Sequence, residues 1–445
     1  MSELTHYPSY KDSGVPWLGE IPGHWYVNQL KFSTTCNDEV LSANTDEGYE
    51  ILYIDISNVS LTKGVLNKEN LTFEQAPSRA RRVVRDGDIL VSTVRTYLKS
   101  IAYIEKAEEN LIASTGFAVL RPTSSLSSKF LGYWIQSQGV VATIMANSVG
   151  VSYPAINSTD LVRLPVVNLP ISEQEIIVSF LDKQLVKIDM LISKQEALLI
   201  KMNEQRNAII TNAVTKGLNT ECATKSSNVE WIGEIPEHWE VWKMSYAVES
   251  MGSGTTPKSD DPAYYGGDTL WVTTSELRED LIHDTKKKVS EKALCKYSAL
   301  RVYPKDSVAI AMYGATIGRL GILAKEATFN QACCVFSESN RINHEFLFFW
   351  LWYRRPILIS LSNGGGQPNL NQDELSKIRI PLPPIEEQEL IISFIKNEVT
   401  KIDNISSTTQ KITDSLREYR STLITQAVTG KIDVRDFNSD QQGAE

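Results

Sequence analysis

Trp17-Leu-Gly-Glu-Ile-Pro-Gly-His-Trp25 returns 214 positions later as Trp231-Ile-Gly-Glu-Ile-Pro-Glu-His-Trp239. The same shift carries Pro170-Ile-Ser-Glu-Gln-Glu-Ile-Ile-Val-Ser-Phe180 onto Pro384-Ile-Glu-Glu-Gln-Glu-Leu-Ile-Ile-Ser-Phe394. Ile188-Asp189 falls on Ile402-Asp403, Arg206 on Arg420, and Ala213-Val-Thr215 on Ala427-Val-Thr429. Chance does not supply so many matches in one register. The chain of 445 residues is a tandem duplication, and a repeat of this kind decides the architecture before any local signal does.

The repeated frame encloses two stretches that have diverged, about 26–165 and 240–380. Faint echoes survive inside them. Phe130 and Trp134 match Phe346 and Trp350 at a shift of 216, and Gly150-Val-Ser-Tyr-Pro154 parallels Gly364-Gly-Gly-Gln-Pro368 at 214. A constant frame around two variable inserts is the pattern of a scaffold presenting two different readers. The inserts read as mixed α/β. Asp88-Ile-Leu-Val-Ser-Thr-Val94 and Ser307-Val-Ala-Ile-Ala-Met312 are apolar, strand-like runs after turn signals, and each insert ends in an aromatic helical stretch and a Gly/Pro loop.

Each C-terminal part of the frame reads as one long helix. Ser172-x-x-Glu175 after Pro170 forms a capping box, and no proline or glycine interrupts before Gly217. The second copy starts after Pro383-Pro384 and runs to about Gly430. Leu181, Ile188, Leu191, Leu198, Met202 and Ile209 fit a heptad core, as do Ile395, Ile402, Ile405, Ile412, Leu416 and Leu423. Two such helices pack most economically against each other. If antiparallel, they place the variable domains at opposite ends about a pseudo-two-fold, and at roughly 45 residues each they form a ruler of roughly 65 Å.

The expected fold is therefore α/β (α+β): two mixed α/β domains joined by two long antiparallel helices in a coiled coil. The segments are 1–25 (constant), 26–169 (first variable domain), 170–217 (central helix), 218–239 (linker and repeated motif), 240–382 (second variable domain), 383–432 (C-terminal helix) and 433–445 (polar tail).

Net charge is −9, which argues superficially against nucleic acid, but its distribution is uneven. Residues 286–305 hold Lys286, Lys287, Lys288, Lys292, Lys296, Arg301 and Lys305 against Glu291 alone. Residues 79–99 hold Arg79, Arg81, Arg82, Arg85, Arg95 and Lys99 against Asp86 and Asp88. The longest apolar run, Phe346–Tyr353, is too short for a bilayer, and the polar N-terminus lacks signal-peptide features, so a cytoplasmic protein is expected. The five cysteines, an odd number without CxxC spacing, read as free thiols.

Catalytic signatures are missing. There is no GxxxxGK[ST] loop, no GxGxxG and no Glu-x-Lys triplet. Asp261-Pro-Ala-Tyr264 approaches the acidic-Pro-Pro-aromatic tetrad of adenine methyltransferases, but its third residue is Ala and Gly-Gly follows, so a turn is expected. His24 and His238 have no metal-ligand spacing around them and are read as packing between the flanking tryptophans.

In combination these features resemble the specificity (S) subunits of type I restriction-modification enzymes over nearly the whole chain. The carriers are the two W-x-G-x-I-P-x-H-W segments and the two Pro-started long helices ending near A-V-T-x-G. In the second domain they also include Gly252-Ser-Gly-Thr-Thr-Pro257, Tyr264-Tyr-Gly-Gly-Asp268, Trp271-Val272, Tyr313-Gly-Ala-Thr-Ile-Gly318 and Asn330-Gln331. The first domain departs at Val94-Arg95-Thr96-Tyr97-Leu98, which stands in place of a G-x-x-G turn.

The resemblance implies a non-catalytic subunit that binds double-stranded DNA at a bipartite, asymmetric site, one copy per complex, in a bacterial or archaeal cytoplasm. It implies two adenine methyltransferase (M) subunits and restriction (R) subunits as partners. S-adenosylmethionine, ATP and Mg2+ would sit on those partners, with no cofactor or metal in this chain. In that context Arg81, Arg82, Arg95 and Lys99, and Lys286, Lys287, Lys288 and Arg319, are the expected phosphate contacts. Tyr97, Tyr313, Gln367 and Asn369 are the expected base-edge contacts. Two competing readings are a methyltransferase with fused specificity domains, which lacks its motifs here, and a coiled-coil adaptor, which would not need two elaborate domains.

Overall fold

The computed structural model describes residues 5–219, 221–360 and 369–437. The chain divides into two compact units, residues 1–196 with 410–445 and residues 197–409. The division falls inside both long helices, because the C-terminal end of each is built into a core of tryptophans.

In the first unit, strands Ile101–Tyr103, Ile89–Ser92, Phe117–Pro122 and Thr34–Cys36 form an antiparallel sheet in that order. A second sheet runs Glu69–Thr72, Glu50–Ile54, Leu111–Ser114, Ala80–Val83, and its Glu50–Ile54 and Leu111–Ser114 strands are parallel. Every residue of Ile89–Ser92 is buried, which explains its unbroken apolar pattern. Helices Ser128–Gln136 and Gln138–Ala146 place Phe130, Trp134 and Val140 in the core. Strands Tyr26–Gln29 and Pro165–Asn168 then close the domain where the chain enters and leaves it.

The second unit repeats this plan. Its larger sheet runs Ser250–Gly252, Cys333–Ser337, Val308–Ala311, Leu320–Leu323, Leu281–Ile282, and its smaller one Lys288–Val289, Tyr265–Val272, Ala327–Phe329. Glu240–Lys243 pairs with Arg379–Leu382, and each residue pair lies 214 positions beyond its partner in the first unit, as Lys243–Arg379 does beyond Gln29–Pro165. No helix among the described residues is long and apolar enough to cross a membrane.

The long helices are α1 (Ile171–Lys216) and α2 (Ile385–Val428). They pair antiparallel within each unit. Arg420 donates to Asp189 (2.8 Å) and Arg417 to Glu196 (2.7 Å) in the first; Arg206 donates to Asp403 (3.1 Å) in the second. The pairing is reciprocal: the Arg of each copy meets the Asp of the other.

Two details of the helix reading are corrected. Leu191, Leu198, Ile405 and Ile412 lie substantially exposed, whereas Thr413 is buried. A helix at 3.6 residues per turn drifts off a strict heptad, so α2 turns in residues 402, 409, 413 and 424 rather than 405 and 412. No Ser172–Glu175 capping contact is seen among the described residues. The helix start is instead fixed by its neighbours Glu173 and Gln174. Glu173 accepts from Tyr7 Oη, Trp25 Nε1 and His24 Nε2, and Gln174 bonds to Ser127 N and to the Leu169 and Ser125 carbonyls. In the second copy, Glu387 accepts from Trp239 and His238, and Gln388 accepts from Asn343 N and donates to the Pro383 and Arg341 carbonyls. The repeated histidines thus bond a carboxylate at the start of a long helix while their rings pack edge-on against Trp25 and Trp239, one of the two tryptophans expected in each copy.

The glycines that end the helices follow from the same packing. Gly217 and Gly430 end the helices at φ +72° and +70°. A Cβ would stand 3.1 Å from Trp239 at Gly217, and 2.4 Å from Pro22 at Gly430. Both the left-handed conformation and the close approach demand glycine.

Candidate nucleic-acid interface

In each unit the buried central strand opens into a short turn, largely exposed in the first and half-buried in the second. Ile89–Ser92 leads into a 3-10 turn at Thr96–Leu98, and Val308–Ala311 into one at Gly314–Thr316. The second turn places Gly314 at φ +80° and Gly318 at +77°. In the first, the same two places are held by Arg95 and Lys99, both at φ +52°. The first domain therefore keeps the turn whose glycine signature it lacks, and fills the left-handed positions with basic side chains. Non-glycine residues in this region carry a steric cost and collect at functional sites.

Each turn is bridged at an equivalent residue. Val94 bridges Ala155 and Tyr313 bridges Asn369, the two loop residues being 214 apart. Arg95 stacks over Tyr153 at 4.9 Å, and Thr96 Oγ1 meets Ser148 Oγ at 2.8 Å. Tyr97, Leu98, Val149, Val151 and Tyr153 are exposed around it. Next to this turn a cleft of about 650 Å³ is lined by Tyr53, Asp55, Arg79, Arg95, Leu98 and Thr115, among others.

A family model described as the type I restriction modification DNA specificity domain matches the chain twice, over residues 41–199 and 236–414. The chain belongs to this family. Each match contains one of the two turns. Across nearly its whole length the chain is similar to the MjaVIII type I restriction enzyme specificity subunit of Methanocaldococcus jannaschii. The identity is 24% over 439 residues, covering 94% of this chain and 95% of that relative. The fold is similar to a chain in a solved structure concerned with complex assembly and conformational transition of the type I R-M system (TM-score 0.72, 19% identity, 92% and 98% covered). It is also similar to the HsdS subunit from Thermoanaerobacter tengcongensis (TM-score 0.52, 19% identity, 93% and 98% covered).

In the first specificity domain the structure gathers Arg95, Tyr97 and Lys99 on one turn, all exposed. Arg81 and Arg82 lie apart from them on strand Ala80–Val83 and are half-buried. Arg81 rests over Phe73 at 4.5 Å and donates to the Ala80 carbonyl; Arg82 Nε is buried without a hydrogen bond. In the second specificity domain Tyr313, Arg319 and Asn369 share the turn and its flanking loop. Gln367 lies outside the described residues. Lys286 and Lys287 are exposed before the small strand Lys288–Val289, Lys287 lies over Tyr265 at 5.6 Å, and Lys288 pairs with Asp284 at 3.1 Å.

Sequence reasoning missed Tyr153, although its repeat mate at 214 is Gln367. It also missed the Asp55–Arg79 pair in the cleft, whose members are distant in sequence. Asp261 accepts a hydrogen bond from Ala263 N and caps the 3-10 turn Pro262–Tyr264, a turn role that explains the methyltransferase-like tetrad. Among the described residues one trio, Asp306, Glu338 and His344, has metal-ligand spacing. Its imidazole turns Nδ1 to Glu338 (3.4 Å) and Nε2 to Asp306 (3.9 Å), an arrangement that bridges two carboxylates rather than presenting one nitrogen to a shared ion.

Proposed function

We propose that this chain is the DNA-reading, non-catalytic subunit of a type I restriction-modification complex, acting in the cytoplasm. One domain reads each half of a bipartite, asymmetric site. The observation that carries this reading is the pair of matched turns on divergent domains, set in a frame that is otherwise repeated at 214. A repeated frame also offers two equivalent surfaces, which is what two copies of one methyltransferase subunit require. Restriction subunits join through them, and S-adenosylmethionine, ATP and Mg2+ belong to those partners. One copy of this chain then suffices per complex. The phosphate contacts are Arg95, Lys99 and Arg319 on the turns, with Arg81, Arg82 and Lys286–Lys288 as further contacts away from them; Tyr97, Tyr313, Gln367 and Asn369 are the base-edge contacts.

The test is a methylation map. The chain co-expressed with its methyltransferase subunit should methylate adenines at one split sequence with an unread spacer, and the chain alone should transfer no methyl group. Methyl transfer by the lone chain, or methylation without a split consensus, rejects the reading.

A second expected result concerns the turn. R95G/K99G relieves two left-handed side chains, so stability should rise by about 0.5–1 kcal/mol per site after the entropy cost of glycine. The same change removes two cations, and the slope of log affinity against log salt should fall by roughly 2. Denaturant unfolding and salt-titrated DNA binding measure the two effects. A variant that loses stability and keeps its salt slope shows that the turn is only a fold element.

A further inference from the structure

We infer that Arg79 reads a guanine in the first half-site; this rests on the DNA-reading function proposed above. Arg79 sits just before strand Ala80–Val83, and Asp55 just after strand Glu50–Ile54. Arg79 Nε donates to Asp55 Oδ2 (3.0 Å) and to Tyr53 Oη (3.1 Å), and Nη2 donates to the same Oδ2 (2.6 Å). Tyr53 in turn donates to Asp55 (2.9 Å), and its ring is buried in the sheet, so the carboxylate stands on a fixed support. The Arg79 backbone is pinned as well, its carbonyl accepting from Thr115 N at 2.7 Å.

One edge of the guanidinium is therefore occupied. The other edge, Nη1 with the second hydrogen of Nη2, has no hydrogen-bond partner among the described residues. The side chain is 58% exposed and lines the cleft beside Arg95. A surface ion pair made only for stability gains little, because fixing two side chains costs entropy. A guanidinium held in advance by a carboxylate has already lost that freedom, and its free fork matches the paired acceptors O6 and N7 of guanine in the major groove. A phosphate is the poorer partner here. It would fit the fork as well, but Asp55 repels it, whereas a base edge is neutral. The second domain has Thr273 where Asp55 stands, since Val272 pairs with Phe329 as Ile54 pairs with Ala113. The device is absent there, as two different half-sites require.

The experiment is selection of bound duplexes from a pool randomised across the site, using the full chain with its methyltransferase subunit. R79A should lose discrimination for one G·C pair of the first half-site by roughly 5- to 150-fold and leave every other position unchanged. R79K, which keeps the charge without the fork, should lose the same discrimination while retaining more affinity, and D55N should weaken it at the same base pair. Full retention of base preference by both Arg79 variants overturns the inference. So does an equal loss on all sequences, which would mark a phosphate contact. A wild-type chain without base preference would instead reject the DNA-reading function itself.

Discussion

A chain in which residues 240–382 replace residues 26–168 is expected to read the second half-site twice and to lose the first. The exchange is feasible because its junctions coincide. Both segments begin on the strand after the buried tryptophan, Trp25 or Trp239, and end on the strand paired with it, in the same register 214 positions apart. The glutamate and glutamine that anchor the long helix follow directly in both copies, so the graft meets the contacts it left. The features that separate the two readers lie inside: the turn with Gly314 and Gly318, the Lys286–Lys288 segment, and Thr273 in place of Asp55. Base contacts and phosphate contacts travel together, and each mismatched base pair costs about 1–3 kcal/mol. The original site should therefore lose at least about a thousandfold in preference. Mapping methylated adenines made by the chimera with its partner subunits reads this directly. A folded chimera that still modifies the original sequence would place recognition in the frame.

The frame was legible because its contacts are written in rare residue types. Tryptophan, a histidine–glutamate pair and a left-handed glycine leave marks that survive duplication, and the 214-residue shift exposes them. The turns were less legible. Glycine at φ above zero announces itself in sequence, as at Gly314 and Gly318, whereas Arg95 and Lys99 adopt the same conformation silently. The shift there is 219, since insertions separate the frame from the central strand, and a search at 214 passes over it. The helix seam was misplaced for a geometric reason, the drift of a 3.6-residue helix from a seven-residue repeat. Arg79 and Asp55 are joined only by the order of strands in the sheet, which no local pattern specifies.

Asp88→Ala is expected to destabilise the first unit by about 1.5–3 kcal/mol, the cost of removing the charge-assisted hydrogen bonds to the partly buried Arg121. Asp88 is fully buried beneath the strand that carries the Arg95 turn. Its two oxygens accept from Arg121 Nε and Nη2, both at 2.8 Å, and Oδ2 also takes Arg85 N at 2.7 Å. Arg121 then spends Nη1 on Glu39 at 2.7 Å. The carboxylates beside it hold the Arg121 guanidinium well above its ordinary range, the Asp88 hydrogen bond being the largest cause. Duplication supplies the control. Asp88 precedes Ile89, which pairs with Leu120 before Arg121; in the second unit Ser307 precedes Val308, which pairs with Phe336 before Ser337. Ser307 and Ser337 are both buried and their hydroxyls lie 3.4 Å apart. The same two positions therefore tolerate a neutral pair once both charges are gone. D88S/R121S should accordingly be less destabilised than D88A alone, since a neutral hydroxyl pair leaves no ion to desolvate. Denaturant midpoints for D88S, R121S and the double give the coupling between the sites. A double variant that loses as much as the sum of its singles would show that the ion pair has no bearing on stability beyond its separate hydrogen bonds.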